Sequence, residues 1–312
     1  ARYKAGMVKG NLLVDLTGGF GVDSYYFSKK VNEVIHCENN RELSEIATYN
    51  FKLLGQSNIS THAKDGLTVL EEIGKRADWL YLDPSRRNVK KGKVFLLEDC
   101  EPNVLQYQQR FLSHAKSILL KTSPLLDISK AIDSLDHVHE VHVVAVQNEV
   151  KELLLVIREE PVAKIDIITV NLKPNESENF QFIYPDDNKA TLSDPLTYLY
   201  EPNPAILKSG AFNTIANQLN ICKLHINSHL YTADQLMNFP GRRIKIDQVL
   251  PYNRKILKRN FQFTRGNITT RNFPETVAQI RKKTGLKDGG DHYLFFTTNQ
   301  NGKHIVIIGK KV

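Results

Sequence analysis

A carboxylate beside clustered glycines, in the run Val14-Asp15-Leu16-Thr17-Gly18-Gly19-Phe20-Gly21-Val22-Asp23, is the strongest chemical signal in this chain. Glycine lets backbone come close to a ligand, and a helix that starts just after the loop offers unpaired N–H groups. A dinucleotide fingerprint would read G-x-G-x-x-G, whereas the order here is Asp15-x-Thr17-Gly18-Gly19-x-Gly21. Taken alone, the run could also be a glycine-rich turn that holds nothing. Glu38 lies about 20 residues further on and ends a β-rich run, where a carboxylate can accept both hydroxyls of a ribose. Asp65, within Lys64-Asp65-Gly66, and Asp83, within Asp83-Pro84-Ser85-Arg86-Arg87, each follow another β-rich run. Singly, each would be a solvated acid. Acids at the ends of consecutive parallel strands share one rim of the sheet.

Asp83 could serve as a general base or a hydrogen-bond acceptor, with Pro84 fixing its loop. Arg86 and Arg87 could hold a phosphate or a carboxylate. The alternative is an Asp-Pro turn followed by a solvated basic loop from Arg86 to Lys93.

The elements that must position these residues alternate. Strands are predicted at Leu12–Leu16, Val34–Cys37, Ile59–His62, Trp79–Leu82 and Ile118–Lys121, with helical spacing at Asn40–Leu54, Leu67–Ile73 and Asn103–Ser113. That rhythm is the mark of βαβ units and a parallel sheet. His139–Val146 and Glu149–Arg158 are then separated only by Gln147 and Asn148, which leaves no room for a crossover helix. They must form an antiparallel hairpin.

After Glu160 the texture becomes irregular. β-like runs are expected at Lys164–Leu172, Phe180–Tyr184, Arg243–Ile246 and Phe261–Thr264, and helices at Pro204–Leu219 and Pro274–Lys283. Asn203 and Pro204 form a helix start, and Gly285 lies just past a helix end. A closing hairpin, Tyr293–Thr298 with His304–Ile308, turns around Asn301-Gly302.

Composition narrows the class. With 312 residues, 41% hydrophobic and 24% charged, a multidomain globular protein is expected. No apolar run approaches the roughly 18 residues of a membrane span. Cys37, Cys100 and Cys222 have neither disulfide nor zinc spacing, so a reducing cytoplasm fits and no metal is expected. His137, His139 and His142 lack further ligands to complete a metal set. Ala1 rather than Met opens the chain, which suggests a missing N-terminal segment.

Charge is uneven. Residues 1–160 carry 21 basic and 22 acidic side chains, residues 161–312 carry 21 and 12, so the net +8 arises entirely in the second part. Gly241–Arg271 holds Arg242, Arg243, Lys245, Arg254, Lys255, Lys258, Arg259, Arg265 and Arg271 against Asp247 alone, with Tyr252, Phe261 and Phe263 interleaved. This is either a nucleic-acid surface with stacking groups, in which Arg242, Arg243, Lys258 and Arg259 take phosphates, or a solvated basic face.

The Asp15–Asp23 run resembles motif I of class I S-adenosylmethionine-dependent methyltransferases. With DPSRR, YEPNPAILKSG and FPGRR, nearly the whole chain resembles a bacterial group of these enzymes that carries a THUMP-like C-terminal part. The resemblance implies a Rossmann-like α/β sheet ending in an antiparallel hairpin, followed by small α+β domains. The implied division is a methyltransferase domain over 1–160, a ferredoxin-like domain over 161–240 and a THUMP-like domain over 241–312. It further implies that S-adenosylmethionine is held by Asp15, Thr17, Gly18, Gly19, Phe20, Gly21, Asp23, Glu38, Asn39, Asp65 and Gly66. Asp15 would order the loop toward the amino-acid end of the cofactor, and Asp65 would face the adenine amino group.

Thr17 stands where this family commonly has Gly. Asp83, Pro84 and Arg86 fall at motif IV, where substrate meets the methyl group, with Arg87 beside them. Ser85 and Arg86 replace the second Pro and the aromatic usual in exocyclic-amine methyltransferases. No cysteine ends strand four or five, as carbon-5 pyrimidine methylation requires, and Cys100 is read as structural. The leading expectation is therefore an RNA methyltransferase, with tRNA or rRNA as candidate acceptor. The alternatives are a methyltransferase for a small molecule or protein, and a catalytically degenerate RNA-binding protein.

Overall fold

Asparagine or aspartate stands directly before four helices of the N-terminal part, and in each case its side chain accepts a backbone N–H of the first turn. Asn40 accepts from Leu43, Asp65 from Thr68, Asn103 from Gln106 and Asp127 from Lys130. These caps fix where each helix starts, and so where each strand before it must stop. The structure, a computed structural model, describes residues 1–86 and 97–312, with backbone alone at Arg86, Arg254 and Lys258. It divides into two units, Ala1–Val144 with Lys151–Ile168, and Ala145–Val150 with Thr169–Val312.

The first unit begins with α1 (Arg2–Met7), β1 (Gly10–Asp15), α2 (Val22–Phe27), β2 (Val31–Cys37), α3 (Arg41–Leu53), β3 (Ile59–His62), α4 (Gly66–Glu72) and β4 (Ala77–Leu82). It continues through the two-residue strands β5 (Ser85–Arg86) and β6 (Cys100–Glu101), then α5 (Val104–His114), β7 (Ala115–Thr122) and α6 (Ile128–Ser134). The hairpin strands β8 (Val138–Val146) and β9 (Glu149–Arg158) follow, then β10 (Ile165–Leu172). From β10 the strands run in the order β10-β8-β9-β7-β4-β1-β2-β3. Those from β7 to β3 are parallel, and β9 joins β7 antiparallel. This is the expected Rossmann-like sheet with an antiparallel finish.

Burial explains the parallel order. β1, β4 and β7 carry near-continuous buried runs, with Leu13, Val14, Leu80, Leu82, Ile118, Leu119 and Leu120 removed from solvent, as strands covered on both faces must be. Gln147 and Asn148 turn the hairpin with φ of 50° and 64°. Two consecutive left-handed residues match the twist of the strands they join.

The second unit contains β11 (Ser177–Tyr184), β12 (Tyr198–Pro202), α7 (Pro204–Ser209), α8 (Thr214–Gln218), β13 (Cys222–Lys223), β14 (Tyr231–Ala233) and β15 (Gly241–Pro251). α9 (Arg254–Asn260), β16 (Asn267–Arg271), α10 (Val277–Thr284), β17 (Tyr293–Thr298) and β18 (His304–Lys311) complete it. Seven strands are ordered β13-β14-β12-β15-β18-β17-β16. Alternation gives the sheet two apolar faces. Leu294, Phe296, Val306 and Ile308 join one core with Leu257 and Ile280, while Phe295, Ile305 and Ile307 join another with Leu199 and Ile244.

Two expectations are corrected here. Phe261–Thr264 is not a strand: Phe261 closes α9, and Phe261 and Phe263 pack against the core, while the strand that pairs with β17 is Asn267–Arg271. The helix expected over Pro204–Leu219 breaks in two at Gly210, whose φ of 78° ends α7.

Candidate functional site

Backbone bonds carry the strand ends of the first unit into one rim. Leu16 N donates to Tyr81 O at 3.0 Å, Gly18 N to Cys37 O at 2.8 Å, and Glu38 N to His62 O at 3.1 Å. The loop after β1 is thus zipped to β4 on one side and β2 on the other. Gly18 makes this possible: a Cβ there would lie 2.2 Å from His36 Nε2. Gly66 meets the same loop from α4, where a Cβ would lie 2.6 Å from Leu16 O.

Asp15 is 1% exposed. Its carboxylate accepts from Ser24 Oγ at 2.6 Å and from Thr17 N at 3.1 Å. Burial pushes its pKa up to about 7, against the pull of these two hydrogen bonds. It therefore orders the loop from behind. Glu38 clamps the loop from the other side, accepting Gly19 N on Oε2 and Asn40 N on Oε1, both at 2.8 Å. Each carboxylate oxygen has two lone pairs, so both retain capacity for a ligand hydroxyl.

Between these groups opens a cavity of about 580 Å³. Thr17, Glu38, Asn39, Asp65, Gly66 and Asp83 line it. Leu67, Ser85, Glu101, Pro102 and Tyr107 line it as well, and none of these was singled out from sequence. Asp65 spends one oxygen capping α4. Asp83 sits at the cavity wall with its N–H donating to Thr17 Oγ1 at 2.7 Å, while Lys121 Nζ reaches Asp83 Oδ2 at 2.6 Å. Lys121 comes from the end of β7, on the same rim. In the sequence Lys121 stood only as the end of the strand expected at Ile118–Lys121, and that place was the available signal.

Other expected residues lie elsewhere. Phe20 is 62% exposed and Gly21 is the N-cap of α2, neither lining the cavity. Asp23 faces away into a buried network: its Oδ2 accepts from Lys4 Nζ and Tyr81 OH, both at 2.7 Å, and Lys4 also reaches Glu152 at 3.1 Å. Burial acts to lower the pKa of Lys4, but Asp23 and Glu152 prevail and raise it. Pro84 is buried behind Asp83. Arg87 and the side chains of Arg86 and Lys258 lie outside the described residues.

In the second unit the basic stretch does not form a single face. Arg242 and Arg243 are neighbours on β15, opposite Glu201 and Tyr200 of β12, and successive strand residues point to opposite sides. Arg259 is exposed on α9. Arg242 instead converges with Arg271 on the buried Glu201, at 3.3 and 2.7 Å. Among the described residues no group of three His, Cys, Asp or Glu side chains is placed to hold a metal, and no helix is long and apolar enough to cross a membrane.

Comparison with known proteins completes the picture. A family model described as a ferredoxin-like domain matches residues 198–240, and one described as THUMP domain-like matches residues 241–311. A crystal structure of a "putative methyltransferase" from Porphyromonas gingivalis W83 is 33% identical, covers 100% of this chain and 80% of that one, and superposes with a TM-score of 0.91. This chain belongs to that family, the class I methyltransferases with a THUMP-like domain.

An rRNA methylase from Streptococcus thermophilus is 13% identical with a TM-score of 0.36, covering 49% of this chain and 90% of that one. A Streptococcus mutans structure, also described as a "putative methyltransferase" and in complex with SAH, is 12% identical with a TM-score of 0.37, covering 50% and 92%. No curated protein matches the chain.

Proposed function

We propose that this chain is an S-adenosylmethionine-dependent methyltransferase acting on RNA, with residues 1–160 holding the cofactor. The supporting observation is the cavity at the strand rim, where Glu38 and the glycine loop meet Asp83 across about 580 Å³, a volume in the range of small-molecule sites. The residues fit the cofactor. Thr17 brings the glycine loop to the cavity, Glu38 offers acceptors for a ribose, and Asp65 and Leu67 line the cavity beside α4 for an adenine. S-adenosylmethionine supplies a sulfonium-bound methyl group.

Asp83 would orient the acceptor nucleophile and take the proton it gives up. Lys121 fixes the Asp83 carboxylate. Tyr107 and Pro102 form the wall on which an acceptor ring rests. Residues 161–240 and 241–312 are read as the ferredoxin-like and THUMP-like domains that capture the acceptor, tRNA or rRNA, through the basic stretch that includes Arg242, Arg243, Lys258 and Arg259. Arg87 would add a phosphate contact beside motif IV.

Two measurements test this reading. Calorimetry should detect S-adenosylmethionine binding that Glu38→Ala and Asp15→Ala abolish. Tritiated methyl transfer into total RNA from a strain lacking the gene should label RNA, and label found only in protein or small molecules would exclude the RNA acceptor.

A further inference from the structure

A second cavity, of about 520 Å³, lies wholly within the second unit. Its floor is Glu201, 3% exposed, whose carboxylate is flanked by the guanidinium groups of Arg242 and Arg271. A buried carboxylate that only fixed a fold would be saturated with hydrogen bonds. Here neither Glu201 oxygen has a hydrogen bond of good geometry among the described residues, although both are within ion-pairing distance of an arginine, and Arg271 Nε is buried without a partner. The three groups are preset but not satisfied.

One carboxylate cannot occupy the ten N–H donors of two guanidinium groups. Arg242 spends one further donor on Thr269 Oγ1 at 3.2 Å. Lys173 and Lys311 also line the cavity. Lys173 is paired with Glu178, but Lys311 has no ion pair among the described residues. The lining therefore holds four cations against Glu201 and Asp288, and Asp288 is itself paired with Arg281. An anion of two or three acceptor oxygens fits such a donor set. Pro202, Pro204, Leu207 and Tyr293 add apolar surface to a mostly polar lining. A phosphate with an attached ring matches that mixture, in a volume large enough for one nucleotide.

We propose that this cavity binds the phosphate group of a single nucleotide, with Arg242 and Arg271 as donors, Glu201 as their anchor, and the base against Tyr293, which shares the sheet face of Arg271. It goes beyond methyl transfer and stands whether or not RNA is the acceptor.

Calorimetry on the full chain, with S-adenosylhomocysteine at saturation to occupy the other cavity, and with adenosine 5′-monophosphate, adenosine and inorganic phosphate as titrants, tests it. The monophosphate should bind at least tenfold more tightly than adenosine or inorganic phosphate. Arg242→Gln, a half-exposed position, and the double variant Glu201→Gln/Arg271→Gln, which removes both charges together, should each weaken it by about tenfold or more while circular dichroism stays unchanged. Glu38→Gln, at the other cavity, should leave this affinity unaltered even where it weakens S-adenosylmethionine. Equal binding of adenosine or inorganic phosphate, indifference to Arg242→Gln and the double variant, or loss with Glu38→Gln would each overturn the assignment.

Discussion

Thr17 Oγ1 accepts the backbone N–H of Asp83 at 2.7 Å, tying the glycine loop of β1 to the loop after β4. The bond gives Thr17 a role that a glycine there could not fill. Thr17→Val keeps the shape but leaves the Asp83 N–H without its acceptor. Its expected cost is about 1–3 kcal/mol of stability, with Thr17→Ser near the unmodified protein. Methyl transfer should fall with Thr17→Val more than S-adenosylmethionine affinity does, measured as kcat against Kd.

Lys121 acts on the same carboxylate from the opposite side. Lys121→Met should lower kcat by about tenfold to a hundredfold while changing cofactor affinity less than threefold, since one charge-assisted hydrogen bond to Asp83 contributes about 1.5–3 kcal/mol. Steady-state kinetics paired with calorimetry separates the two effects; a loss of cofactor binding equal to the loss of kcat would assign Lys121 to the cofactor instead.

Asp15 makes stability depend on pH. Its folded pKa, about 7, lies above the ordinary value of 3.8, so the folded state holds the proton more tightly. The contribution is therefore full below about pH 4 and declines as pH rises to about 7, by at most about 1.4 kcal/mol per pH unit. Asp15→Asn, which cannot ionise, should narrow the difference in Tm between pH 5 and pH 8. An unchanged difference would place the source of the pH dependence elsewhere.

The Lys4 network offers a test of the loop's support. Lys4→Met would leave Asp23 and Glu152 with a buried gap where their shared cation stood, at a cost of about 3–5 kcal/mol in urea unfolding. Charge removal on the carboxylate side as well, in Lys4→Met/Asp23→Asn, should recover part of that loss.

Local chemistry made much of this protein legible in its sequence. Acids at or just after strand ends (Asp15, Glu38 and Asp83) follow from hydrophobic runs stopped by a carboxylate, and the start of α7 follows from the cap residue Asn203. The hairpin at Gln147-Asn148 and the helix end at Gly285 follow from backbone preferences that span two or three residues. Periodicity misplaced a strand at Phe261–Thr264 because apolar alternation there serves packing behind α9, and a ladder needs a partner strand that no local pattern announces.

What a side chain does when its partner is far away in the chain was decided only by the tertiary structure. Asp23 reads as part of the glycine loop, yet it turns to Lys4, 19 residues earlier, and Tyr81, 58 later. Lys121 meets Asp83 across 38 positions. Arg242 and Arg243, adjacent in sequence, are sent to opposite faces by the pleat of β15, and Arg242 meets Arg271 only because Glu201 lies buried between them. Such pairings depend on strand order and register, which are set by the burial of whole faces and not by any short run of residues.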